Sequence, residues 1–234
     1  LAGVGGVLLL KIEGIFFDLD GTLLDTSELI YRSFEYTLNY FGFPRLKREE
    51  LLSFWGEPLA VTAKKFLPQE PEKWLKVYRQ YMFENHDRLV KPFDGAPETL
   101  KKLKETGIPM GIITSKIRKG AMRGLKTFGL DKFFEVVVAA DDVALPKPNP
   151  EPLLKAAGIL NIKPSYSLMV GDTLYDVQCA KNAGALSAAV GWSECADKLK
   201  KAPYDYWLES FGDLMKLLKE KREGEQDFVY IRKK

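Results

Sequence analysis

Four short stretches carry side chains whose types and spacing could do chemistry. The first is Asp18-Leu19-Asp20-Gly21-Thr22, directly after the apolar Gly14-Ile15-Phe16-Phe17. A turn at Gly21 can bring both carboxylates to one substrate. One can then attack as a nucleophile or hold a metal while the other moves a proton. The second, Thr114-Ser115-Lys116, follows Ile112-Ile113 and offers hydroxyls and the backbone donors of a helix start to a phosphoryl oxygen. In the third, Pro146-Lys147-Pro148-Asn149-Pro150, prolines hold a lysine in place, where it can offset charge developing in a transition state. The fourth is Gly171-Asp172-Thr173-Leu174-Tyr175-Asp176, with two carboxylates on one side of an opening helical turn. Such hard oxygen ligands suit Mg²⁺.

Taken singly, each stretch is also an ordinary turn or helix cap. Their positions along the chain set them apart. Short apolar runs at 12–17, 110–114, 134–139, 167–170 and 186–190 read as buried strands of a parallel sheet. Helical stretches at 97–106, 119–128, 150–160 and 176–183 alternate with them, which predicts an α/β fold with a doubly wound parallel sheet. Asp18, Thr114, Asp141 and Asp172 close four of the strands, and in an open parallel sheet those ends share one ligand-binding edge.

The stretch 24–91 breaks the alternation. Leu29, Ile30, Phe34, Leu38 and Phe41 recur at helical spacing, as do Trp74, Leu75, Tyr78, Tyr81 and Met82. It is too long for a loop and predicts a small all-helical cap domain over the Asp18 edge. The expected organisation is a discontinuous core of 11–23 and 92–220, a cap of 24–91, and a charged C-terminal tail of 221–234. The first residues, with a short apolar run at 7–10, read as a loose or edge-lying extension.

Composition narrows the function. Of 35 Lys+Arg and 32 Asp+Glu, residues 216–234 hold seven basic and four acidic, leaving 28 of each in the body. A neutral body does not suit nucleic-acid binding. No apolar run approaches the roughly 20 residues that a membrane-crossing helix needs. The single histidine, His86, leaves little room for a zinc site or a His-based triad and reads as surface or cap packing. Cys179 and Cys195 form no motif and read as small buried hydrophobes in a reducing, cytoplasmic setting.

The four stretches in this order resemble the motifs of haloacid dehalogenase-type hydrolases. The resemblance covers about 12–218 and implies a Rossmann-like core with the helical cap. It further implies that Asp18 is the nucleophile taking the phosphoryl group and that Asp20 is the general acid and base. Thr114 would bind a phosphoryl oxygen, with Ser115 contributing a backbone donor to the phosphate site, and Lys147 would neutralise charge on both nucleophile and phosphoryl group. Mg²⁺ would sit on Asp18, the main-chain carbonyl of Asp20, and Asp172, with Asp176 orienting water or Lys147. The acid at Asp20 favours phosphoryl transfer, because a halide leaving group needs no proton, and Thr22 looks more like the hydrolases than the sugar-phosphate mutases. The cap and Asp141-Asp142 look most similar to phosphoglycolate phosphatases and related small pyrophosphatases. The expected substrate is a small phosphorylated metabolite, met in the cap by Gly56 and Glu57. A pyrophosphatase or a sugar-phosphate mutase of the same superfamily is the alternative, a non-catalytic binding protein ranks behind both, and the molecule is expected to work as a monomer or homodimer.

Overall fold

The computed structural model describes residues 2–4, 7–218 and 229–232, with side chains over 11–218. In chain order, β1 (Ala2–Val4), β2 (Val7–Ile12), β3 (Gly14–Phe17) and β4 (Leu24–Asp25) are followed by four helices. These are α1 (Ser27–Tyr40), α2 (Arg48–Leu51), α3 (Leu59–Phe66) and α4 (Pro71–Leu89). Next come β5 (Lys91–Pro92), α5 (Ala96–Glu105), β6 (Met110–Ile113), α6 (Arg118–Thr127) and β7 (Val136–Val138). Then follow α7 (Glu151–Ile159), β8 (Ser167–Gly171), α8 (Leu174–Ala183) and β9 (Leu186–Val190). The last elements are α9 (Ala196–Leu199), β10 (Tyr206–Leu208), α10 (Phe211–Leu217) and β11 (Val229–Arg232).

The central sheet runs β10-β9-β8-β3-β6-β7, with every pair parallel. The strand residues are apolar on both faces because helices cover both. Ile15, Phe17, Ile112 and Val170 face a core shared with α5, α6 and α10, while Phe16, Ile113 and Met169 face α7 and α8. Each fully buried large apolar side chain contributes roughly 1.5–3 kcal/mol, so this two-sided burial holds the sheet together. Its register sets the site: Phe17 lies opposite both Ile112 and Val170. The residues that follow these strands therefore emerge side by side.

Helices α1–α4 enclose a separate aromatic cluster. Trp74 is fully buried and stacks between Phe66 and Tyr78, at ring separations of 5.8 and 5.1 Å. The aromatic residues at helical spacing thus form this insertion's own core. The chain leaves the sheet through β4 and returns through β5, paired antiparallel with Leu24 opposite Pro92 and Asp25 opposite Lys91.

Three features depart from expectation. The run 12–17 is two strands parted at Glu13, since Ile12 ends β2 in a second sheet. Residues 2–4 and 7–12 are not a loose extension, because β2 pairs antiparallel with β1 and with β11. Residues 229–232 likewise depart from the tail reading: Val229 pairs with Ile12 and Arg232 with Leu9. The aliphatic residues of each segment supply the extended run that a ladder needs, which a charge count over 216–234 conceals. The rest of the expected tail, 221–228 and 233–234, lies outside the described residues. Among the described residues, no helix is long and apolar enough to cross a membrane.

Candidate active site

Asp18 leaves β3 with its backbone N–H still on the ladder, donating to the Val170 carbonyl at 2.9 Å. The chain then reverses. Leu23 and Leu24 N–H donate to the Leu19 carbonyl, and Gly21 takes a φ of 82°. Only glycine fits there, because that conformation disfavours other residues and a Cβ would fall inside the Asp172 carboxylate. Asp172 follows β8 and is fully buried, accepting from Ser193 Oγ at 2.6 Å and Thr22 Oγ1 at 3.4 Å. Asp176 sits in the first turn of α8, where Thr173 N–H and Oγ1 donate to its Oδ2 at 3.0 and 2.7 Å.

Lys147 joins these elements. Its Nζ donates to Asp18 Oδ1 at 2.8 Å, Asp176 Oδ1 at 2.5 Å and the Ile113 carbonyl at 3.1 Å. Burial alone would lower its pKa, but Asp176 and Asp18 outweigh burial and hold the ammonium above its usual range. The carboxylates respond in the opposite sense. Burial pushes Asp18 up, Lys147 pulls it back, and Asp176 and Asp20 push again, leaving it at about 7. Asp172 is raised well above the usual carboxylate range by burial and by the charges of Asp18 and Asp176.

One ligand oxygen from each of Asp18, Asp172 and Asp176 lies within 4.8 Å of the others. Three buried acids facing one lysine are short of positive charge. A divalent cation fits this set: the donors are hard oxygens, and its charge would reverse the upward shifts.

Above the cluster opens a cavity of 650 Å³ whose lining includes Asp18, Asp20, Thr114, Ser115, Gly56 and Glu57. Thr114 is buried and its Oγ1 accepts the Lys116 N–H at 3.2 Å. Among the described residues, the buried Ser115 Oγ at the mouth of β6 has no hydrogen-bond partner. The Asp20 carboxylate stands apart from the three acids, with Oδ1 accepting from Lys116 Nζ at 2.7 Å. Gly56, at φ 78°, presses its loop on Thr173, where a Cβ would come within 2.8 Å of Cγ2. Glu57 reaches the cavity but is already bound by Thr62 Oγ1 at 2.7 Å and Lys65 Nζ at 2.5 Å. Its charge is met within the insertion. His86 is buried beside α6, with Nδ1 on Asp87 at 2.8 Å and, among the described residues, no partner on Nε2; burial lowers its pKa.

Lys116, Thr22 and Ser193 touch the acids without having been singled out as site residues. Lys116 closes the Thr-Ser-Lys run and Thr22 the first motif, so spacing could have found both. Ser193 follows β9, whose carboxyl end no motif marks. The adjacent Glu194 binds the insertion, accepting from Tyr31 Oη at 3.4 Å and Arg48 Nη2 at 3.3 Å.

The carboxyl edge of the parallel sheet thus gathers aspartates on one buried lysine beneath a cavity. The chain belongs to the haloacid dehalogenase-like hydrolase family, whose model matches residues 15–190. It is 42% identical over 210 residues to pyrophosphatase PpaX of Halalkalibacterium halodurans, covering 89% of this chain and 98% of that protein. A haloacid dehalogenase-like family hydrolase from Streptococcus pneumoniae superposes with a TM-score of 0.76 at 26% identity, covering 88% of this chain and 97% of that one. A candidate phosphoglycolate phosphatase from Lactobacillus plantarum shares the fold, with a TM-score of 0.79 at 22% identity over 88% of this chain and 99% of its own. The chain is a hydrolase of the phosphatase kind.

Proposed function

We propose that the protein is a Mg²⁺-dependent hydrolase of a small phosphorylated metabolite, working through a phosphoryl group carried on Asp18. The observation that supports this reading most is the Lys147 bridge from Asp18 Oδ1 to Asp176 Oδ1 beneath the cavity. Such a bridge suits a carboxylate acting as nucleophile, with a cation beside it to offset phosphoryl charge.

Asp18 attacks phosphorus. The bond to the leaving oxygen breaks with its electron pair, and Asp20 gives that oxygen its proton. Water then attacks phosphorus, Asp20 takes the water proton, and the bond to Asp18 breaks to free phosphate. Thr114 and Ser115 bind phosphoryl oxygens, while Lys147 neutralises nucleophile and phosphoryl group together. Asp18, the Asp20 carbonyl and Asp172 would hold Mg²⁺, with Asp176 positioning Lys147. When bound, the cation supplies charge neutralisation and orientation for the phosphoryl group.

In this reading 24–91 is a cap domain over a core of 11–23 and 92–220, with Gly56 and Glu57 on its substrate side. The unpaired, buried Cys179 and Cys195 support a cytoplasmic setting. Pyrophosphate is the second substrate reading, favoured by the 42% identity to a pyrophosphatase. Asp18→Asn is expected to abolish phosphate release while leaving the circular dichroism spectrum intact. Acid-quenched single turnovers of the unaltered protein should contain a hydroxylamine-labile phosphoprotein that the variant lacks. Full turnover by Asp18→Asn would overturn the assignment.

A further inference from the structure

One short segment of the core touches both the acid cluster and the helical insertion. Between β9 and α9 the chain runs through Trp192-Ser193-Glu194-Cys195. Trp192 Nε1 donates to the Thr22 carbonyl at 3.1 Å, which ties the segment to the turn after Asp20. Ser193 Oγ donates to Asp172 Oδ2 at 2.6 Å and accepts the Cys195 N–H at 3.1 Å. An amide N–H can only donate and an ionised carboxylate can only accept, so the hydroxyl proton lies toward Asp172. Among the described residues, Asp172 Oδ1 receives only the longer bond from Thr22, at 3.4 Å. Ser193 thus restrains one carboxylate oxygen and leaves the other the less engaged.

The far end of the segment belongs to the insertion. Glu194 accepts from Tyr31 Oη at 3.4 Å and from Arg48 Nη2 at 3.3 Å. The Arg48 guanidinium also lies 3.8 Å from the centre of the Tyr31 ring, with its Nη1 3.8 Å from Glu28. Cys195 comes from the core yet is buried in the insertion's own cluster with Tyr31, Trp55 and Trp74. Lys198 Nζ adds a bond to the Leu52 carbonyl at 3.2 Å. The long polar contacts are individually weak, and the burial of Cys195 anchors the segment. Because the Cys195 N–H is bonded to Ser193 Oγ, a shift of the insertion reaches the Asp172 carboxylate through one buried link.

We propose that Ser193 is a positioning residue for Asp172, and that residues 193–195 couple the insertion to the cation site so that each tightens the other. The inference rests on the Mg²⁺ reading of the acid cluster. The strand register that aligns the acids does not depend on this link, whereas the orientation of the Asp172 carboxylate does. Coupling of this kind is reciprocal: if the bound cation steadies the insertion, loosening the insertion must weaken the cation.

The test is calorimetric titration with Mg²⁺ alone, in the absence of substrate. Ser193→Ala should weaken Mg²⁺ binding about tenfold to a hundredfold, as loss of a group that orients a ligand does. Glu194→Gln leaves Asp172 untouched and removes only the charge that Arg48 and Tyr31 bind, so it should weaken Mg²⁺ about twofold to fivefold. In the unaltered protein Mg²⁺ should slow amide hydrogen exchange in α1 and α2, and Ser193→Ala should lose that slowing while its circular dichroism spectrum stays the same. Unchanged Mg²⁺ affinity in a folded Ser193→Ala would overturn the positioning role. Exchange in α1 and α2 that ignores Mg²⁺, or affinity unmoved by Glu194→Gln, would overturn the coupling. An unaltered protein that takes up no Mg²⁺ refutes the metal reading itself, whereas tight binding indifferent to both substitutions refutes this inference alone.

Discussion

Replacing Lys147 with methionine keeps the length of the side chain and removes its charge. The ammonium is 3% exposed and donates to two carboxylates and one carbonyl. Hydrogen bonds to charged partners contribute about 1.5–3 kcal/mol each, and breaking a buried ion pair from one side costs about 3–5 kcal/mol. The metal-free variant should therefore lose about 3–5 kcal/mol at pH 8, read by urea denaturation. The loss must depend on pH. Asp18 is raised from 3.8 to about 7, so its favourable contribution is complete below pH 3.8 and fades as pH climbs through about 7. Without the lysine, Asp18 and Asp172 rise further and the fading is steeper. At pH 5 Asp18 is largely neutral in the native state, fewer buried charges need the cation, and the penalty should shrink. Mg²⁺ should return part of the stability at pH 8 by mass action, yet leave turnover impaired because the lysine's place on Asp18 is empty. A penalty below about 1 kcal/mol, or one equal at pH 5 and pH 8, would refute the claim that Lys147 is the principal counter-charge of the cluster.

Gly21→Ala should cost about 1–3 kcal/mol through its positive φ and weaken Mg²⁺ binding at least tenfold in titration calorimetry, because the new methyl displaces Asp172. Cys179 and Cys195 are buried and unpaired, with burial pushing their thiols up to about 11 and about 12, so a disulfide reagent at pH 8 should label neither until denaturant is added.

Where local pattern decides structure, the chain was readable. Strands buried on both faces must be apolar throughout, and β3, β6 and β8 stand out as such, with Asp18, Thr114 and Asp172 at their ends. The three-residue β10 is too short to show any period, and Tyr206-Trp207-Leu208 passes for loop. Pairing of β2 with β11 joins Leu9 to Arg232 across almost the whole chain, which no local window registers. The acids of the site could be found because aspartates at strand ends are conspicuous. Ser193 could not, because it reaches Asp172 only through the placement of β9 beside β8.

The two-residue ribbon of β4 and β5 has an evolutionary consequence. The insertion departs and returns through a gap one strand wide, so the sheet experiences it as a loop whose ends are already joined. Loop length enters such closure only logarithmically, and paired ends are where foreign segments are best tolerated. Helical inserts of other sizes can be exchanged at 24–92 without disturbing the register that aligns Asp18, Thr114 and Asp172. The insertion and the sheet edge can thus vary as separate parts, one exchanged while the other stays in place.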